Sequence, residues 1–155
     1  MIKKYALVTG ASSGIGLEIS KILASIGFSL VLVARREDKL KEVTKTLINK
    51  YDITADYCVG DLENPNIPQI IYDFCHKKGY FISLLVNNAG YALPDKFHKT
   101  SMEAEEKFLR VLGVSVIALT KLFLIDMIKA KQGKIMMISS VAAFAPPSSI
   151  QTLYG

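Results

Sequence analysis

Two cysteines and two histidines in 155 residues leave little from which to build a metal centre or a disulfide framework. Cys58 and Cys75 show neither metal-ligand nor disulfide-scaffold spacing. Both fall in expected core elements and read as reduced, buried thiols of a cytoplasmic protein. His76 and His98 each sit alone on polar stretches and read as surface histidines, so no metal site is expected. The opening Met1-Ile2-Lys3-Lys4 leads into an apolar run too short for a signal peptide. No run approaches the length of a bilayer span, and no membrane partner is expected. Repeats, linkers and low-complexity tracts are also missing, so residues 1–155 read as a single ordered domain.

Half of the residues are hydrophobic, enough to bury a substantial core at this length. The net charge is +5, but the lysines are scattered over expected helix faces, among them Lys39, Lys45, Lys78 and Lys129. No aromatic-basic platform accompanies them, which argues against a nucleic-acid partner. A ligand carrying phosphates would still gain from the positive field.

Short apolar runs alternate with helical patterns from one end to the other. Strands are expected at 6–9, 30–34, 54–59, 83–87 and 134–139, and helices at 17–26, 37–50 and 67–77. A long helix is expected from an N-cap at Ser101 to about residue 128, with Glu103, Glu105 and Glu106 in its first turns. The run Leu30-Val31-Leu32-Val33-Ala34 is continuously apolar, as a parallel strand covered on both faces must be. The alternation predicts an α/β fold with a doubly wound, Rossmann-like parallel sheet.

Such sheets bind ligands at the carboxyl ends of their strands, and the unusual residues gather there. After the first strand comes Thr9-Gly10-Ala11-Ser12-Ser13-Gly14-Ile15-Gly16, a glycine turn opening a helix. Gly10 lets the chain leave the strand sharply, while Gly14 and Gly16 allow a pyrophosphate near the backbone and the helix near the sheet. The helix start offers unpaired N–H groups to an anion. Arg35-Arg36 follow the second strand, Asp61 the third, Asn87-Asn88-Ala89-Gly90 the fourth and Ser139-Ser140 the fifth.

Aligned in this way, the chain resembles the short-chain dehydrogenase/reductase family over its whole length. Thr9 to Gly16 match the family's TGxxxGxG turn, and Asn87 to Gly90 its NNAG motif. Ile138-Ser139-Ser140 match its active-site serine segment, and Tyr154 falls where its catalytic tyrosine stands. The resemblance implies cofactor contacts from Gly10, Ser12, Ser13, Gly14, Ile15 and Gly16. It also implies Asp61 and Leu62 beside an adenine ring, and Asn88, Ala89 and Gly90 along the cofactor's ribose side. A hydride would pass between the nicotinamide and a ketone or secondary alcohol, Tyr154 exchanging a proton with the oxygen and Ser140 hydrogen-bonding it.

The choice of cofactor has a physical argument of its own. An NAD-selective site needs a carboxylate at the end of the second strand, and an NADP site needs a cation. Ala34 stands where the acid would be, and Arg35 and Arg36 follow directly, with no nearby acid expected to oppose their grip on a phosphate. NADP(H) is therefore the expected cofactor, with NAD(H) second.

Two departures from the family bear on activity. A phenol titrates near 10, and the family lowers it with a lysine four residues after the tyrosine, beyond Gly155 here. Leu112 occupies the place of the family's active-site asparagine in the long helix. The resemblance thus implies the first five strands of a longer reductase, a fragment lacking the C-terminal part. The alternative is a nucleotide-binding or interaction protein of the same descent without the chemistry. The family also often pairs subunits through the long helix, here 101–130, so a homo-oligomer is expected beside the small-molecule substrate.

Overall fold

A β-strand turns successive side chains to opposite faces, so an unbroken apolar run is buried only in a sheet covered on both sides. The computed structural model, which describes residues 4–93, 95–141 and 144, builds such a sheet. Its strands are β1 (Lys4–Thr9), β2 (Ser29–Ala34), β3 (Ala55–Val59), β4 (Phe81–Asn87) and β5 (Lys134–Met137). All neighbours are parallel, in the order β3-β2-β1-β4-β5. The helices are α1 (Gly14–Ser25), α2 (Glu37–Tyr51), α3 (Ile67–Lys77), α4 (Met102–Leu109) and α5 (Ser115–Lys129).

Strand alternation divides the interior into two cores. Ala6, Val8, Leu30, Leu32 and Val86 pack with Leu23 of α1 and Leu40 and Leu47 of α2. Leu7, Val31, Val33 and Leu85 pack on the other face with Ile71 of α3 and Leu119, Phe123 and Met127 of α5. The doubly wound sheet expected from the sequence is thus the observed one. Its winding reverses between β1 and β4, and the glycine turn and the Asn87–Gly90 turn leave the sheet side by side there.

Two elements differ from expectation for identifiable reasons. The strand expected at 134–139 ends at Met137. The Ile138 N–H still donates to the Asn87 carbonyl at 2.9 Å, but beyond Asn87 the partner strand has ended. The expected single helix is interrupted by a π-turn, Arg110–Val114, between α4 and α5. Buried positions run Val111, Ser115, Leu119, Phe123, Met127, a spacing of four that drifts off the face of a 3.6-residue helix; the wider turn absorbs the drift at its first step. Ser101 does cap the start, its Oγ accepting from the Ala104 N–H at 3.2 Å.

The expectation that no run is long enough for a bilayer also needs correction. Helix Met102–Lys129 spans 28 residues, and its most apolar window has a mean hydropathy of 2.1, enough to cross a membrane by length and composition. Its apolar inner face is accounted for by the sheet it covers. Nor is His76 alone: although exposed, its Nε2 lies 2.8 Å from Asp126 Oδ2, and its ring packs on Tyr72. His98 lies in a short 3₁₀ turn, Phe97–Lys99. Among the described residues, no group of three potential metal ligands comes together.

Both cysteines are free and buried. Burial pushes the Cys75 thiol up to about 12, with the charges of Cys58 and Asp56 adding to it. Burial likewise lifts the Tyr80 phenol, stacked on Tyr5, to about 12. The unfolded chain ionises these groups first, so it binds fewer protons than the fold above their ordinary values. Stability is therefore expected to hold below about pH 9 and to fall progressively towards pH 12, a slope measurable as urea midpoints across that range.

Candidate cofactor site

The carboxyl ends of β1 to β4 open onto a cleft of about 420 Å³ beside the switch point. It is bordered by Gly10, Ser12, Ser13, Gly14 and Ile15 of the glycine turn, by Arg35 and Arg36 after β2, and by Asp61 and Leu62 after β3. Asn88, Ala89 and Gly90 after β4 complete the expected set. Gly16 alone of the expected cofactor contacts does not border the cleft.

The three turn glycines have separate reasons. Gly10 has φ +67, and a Cβ on it would lie 2.8 Å from Asn88 Nδ2 and 3.0 Å from Ala89 Cα. Gly14 has φ +56 and open space around the missing Cβ, the face through which a ligand can reach the backbone. Gly16 is buried behind the turn, where a Cβ would lie 2.5 Å from Asn88 Nδ2 and closer still to the Gly10 carbonyl oxygen. Its lack of a side chain serves packing.

Thr9 joins the two turns. Its Oγ1 accepts from the backbone N–H groups of Asn88 and Ala89, both at 3.0 Å, and donates to the Val86 carbonyl at 3.3 Å. Asn88 Nδ2 returns a bond to the Thr9 carbonyl at 2.9 Å. The first turn of α1 contains no acidic residue, and Ser13 at its N-cap makes no side-chain capping bond. The helix start is thus left able to receive an anion. An open Gly14, an uncapped helix start and a rigid paired turn fit the pyrophosphate of a dinucleotide.

Adjacent in sequence, Arg35 and Arg36 part company in the fold. Arg36 Nη2 lies over the glycine turn, 3.2 Å from Ser13 Oγ and 3.4 Å from Ser12 Oγ. Arg35 Nη1 turns to the β3 side, 3.8 Å from Asp61 Oδ2 and 3.9 Å from Glu63 Oε1. The expectation that no acid opposes the arginine pair therefore fails for Arg35. The cause is strand pairing: Ala34 is in register with Val59, so the residues after each strand are neighbours. Asp61 also shapes its own turn, its Oδ1 accepting from the Glu63 N–H at 3.0 Å.

Sequence reasoning overlooked Glu63, Tyr91 and Val111, which border the same cleft. Tyr91 sets its ring edge against Phe108 at 5.6 Å, and burial, then the charge of Glu63, pushes its phenol up. The parallel register was the signal that could have found Glu63. Leu112, within the π-turn, packs so closely on Gly90 that a Cβ there would lie 2.8 Å from its Cδ2. Ser140 is half-buried beyond the end of β5 and does not border the cleft. Tyr154 lies outside the described residues.

A glycine turn, an uncapped helix start and cations at a switch point place the chain in the class of doubly wound, Rossmann-like α/β proteins. Comparison with known proteins narrows the class: the sequence profile described as short chain dehydrogenase matches residues 4–155, and the chain belongs to that family. It is 27% identical over 161 aligned residues to a very-long-chain 3-oxoacyl-CoA reductase of Pyrenophora tritici-repentis, with 97% of this chain and 46% of that protein covered. It is 32% identical to the human inactive hydroxysteroid dehydrogenase-like protein 1, with 94% of this chain and 46% of that protein covered. The chain thus spans about half the length of these curated relatives. Among solved structures, the L-sorbose reductase of Gluconobacter frateurii complexed with NADPH and L-sorbose superposes with a TM-score of 0.92 at 27% identity, over 99% of this chain and 58% of that one.

Proposed function

We propose that the chain binds NADP(H), with NAD(H) as the weaker alternative, and serves as an oxidoreductase of ketones or secondary alcohols. The observation that carries this reading is the Arg36 guanidinium laid over Ser12 and Ser13 at the end of a strand closing on Ala34. A 2′-phosphate at that place meets a forked cation and two hydroxyl donors. A ribose 2′-hydroxyl finds no carboxylate at position 34 to accept its proton.

The bound nicotinamide supplies or accepts the hydride. Ser140 is assigned the hydrogen bond to the substrate oxygen and Tyr154 the proton exchange with it, on the strength of the family motifs. The names of the 3-oxoacyl-CoA reductase and the L-sorbose reductase both describe reduction of a carbonyl-bearing compound, which supports that substrate class. On the outer face of α5, Ile117, Ile125 and Ile128 are exposed, in keeping with a homo-oligomer through this helix. Two buried free thiols are in keeping with a cytoplasmic location.

A second reading, a nucleotide-binding protein without the chemistry, has its own observation. The apolar Leu112 side chain against Gly90 offers no hydrogen bond where the family places an amide. Nicotinamide absorbance in the presence of a ketone panel separates the two. Carbonyl-dependent oxidation of NADPH that disappears in Tyr154→Phe is expected for the enzyme. NADPH binding without turnover, regained in Leu112→Asn, supports the second reading and overturns the first for this chain.

A further inference from the structure

We infer that Glu63 sets coenzyme discrimination: with Asp61 it holds Arg35 away from the phosphate-reading position, keeping the preference for NADP(H) low and NAD(H) tolerated. The inference rests on the nicotinamide-nucleotide reading above. By sequence the strand end carries two cations, but the fold brings two carboxylates to the same cleft rim. Arg36 serves the glycine turn, whereas Arg35 lies between Asp61 and Glu63. The rim is therefore electrically balanced.

A phosphate monoester carries about −1.5 to −2 charge at neutral pH, and a carboxylate beside it is repulsive. A ribose hydroxyl is neutral and can donate to that same carboxylate. Each acid at the rim thus penalises NADP(H) relative to NAD(H), directly and by occupying Arg35.

Of the two acids, Glu63 is the one free to act as a discriminator. Asp61 is engaged in closing its turn. The Glu63 side chain is 26% exposed against 45% for Asp61, so solvent screens it less. It also stands near enough to Tyr91 for its charge to act on the phenol. Lys107 feels the charge of Glu63 as well, but Lys107 is paired at 2.6 Å with Glu103.

The test is titration calorimetry with NADPH and NADH on the 155-residue chain and on E63Q, E63A, E63D and R36A, at low and raised salt. E63Q is expected to tighten NADPH about three- to fivefold and to leave NADH within about twofold, the scale of one partly exposed charge pair. E63A carries the same expectation independently, and E63D keeps the parent ratio. The gain shrinks as salt shortens the screening length. An unchanged NADPH-to-NADH ratio in both E63Q and E63A, or equal tightening of both cofactors, overturns the role of Glu63. Equal losses of NADPH and NADH in R36A overturn instead the reading beneath it, which tells the two failures apart.

Discussion

Arg36→Ala is expected to weaken NADPH binding about thirtyfold and to leave NADH within about twofold, as a hydrogen-bonded charge contact of about 2 kcal/mol implies. Arg36 earns this prediction by position: its fork lies over Ser12 and Ser13, where the phosphate-bearing ribose would sit against the glycine turn. Arg36→Lys keeps the charge but not the planar fork, so only part of the affinity should return. Arg35→Ala should cost NADPH much less, because Asp61 and Glu63 already offset that charge. Calorimetric titration of the three variants with both cofactors checks the set. A larger loss from Arg35→Ala than from Arg36→Ala would reverse the assignment.

Gly16→Ala is expected to be among the most damaging single substitutions available. The added methyl would lie 2.5 Å from Asn88 Nδ2 and nearer to the Gly10 carbonyl. The Asn88 amide is held by the Thr9 carbonyl, and the Gly10 oxygen belongs to the backbone of a tight turn, so neither can yield cheaply. Overpacking of this kind costs about 1–3 kcal/mol, and more where backbone must move. Because α1 and both turns shift together, NADPH binding should fall with stability. Gly14→Ala is the informative contrast. Its Cβ meets nothing within 4 Å, and the only strain is φ +56, worth about 1–2 kcal/mol. The methyl enters the ligand's space, so binding should fall while the urea midpoint moves less. Parallel urea and NADPH titrations of the two variants distinguish packing from ligand approach.

Much of the architecture was legible in the sequence. Runs such as 30–34, apolar at every position, demand a sheet covered on both faces, and the segment expected as a helix over 67–77 is observed with those bounds. The site was legible to the extent that its residues follow strands. Gly10, Arg36, Asp61 and Asn88 meet because parallel strands end on one edge. The missed residues were those whose importance arises across strands. Glu63 looks like an ordinary loop acid until the Ala34–Val59 register sets it beside Arg35. The π-turn at Arg110–Val114 could not be read either, because it answers to the surface on which α5 must lie, which lies outside its own sequence.

The sequence by itself determined that this chain is a doubly wound sheet with a glycine turn between its first strand and first helix, because periodicity and turn chemistry are local properties. Tertiary structure decided which arginine faces the glycine turn, which glycine yields space to a ligand and which to packing, and how much net charge the rim carries. Those are matters of distance between segments, and Coulomb and contact forces act through space, not along the chain.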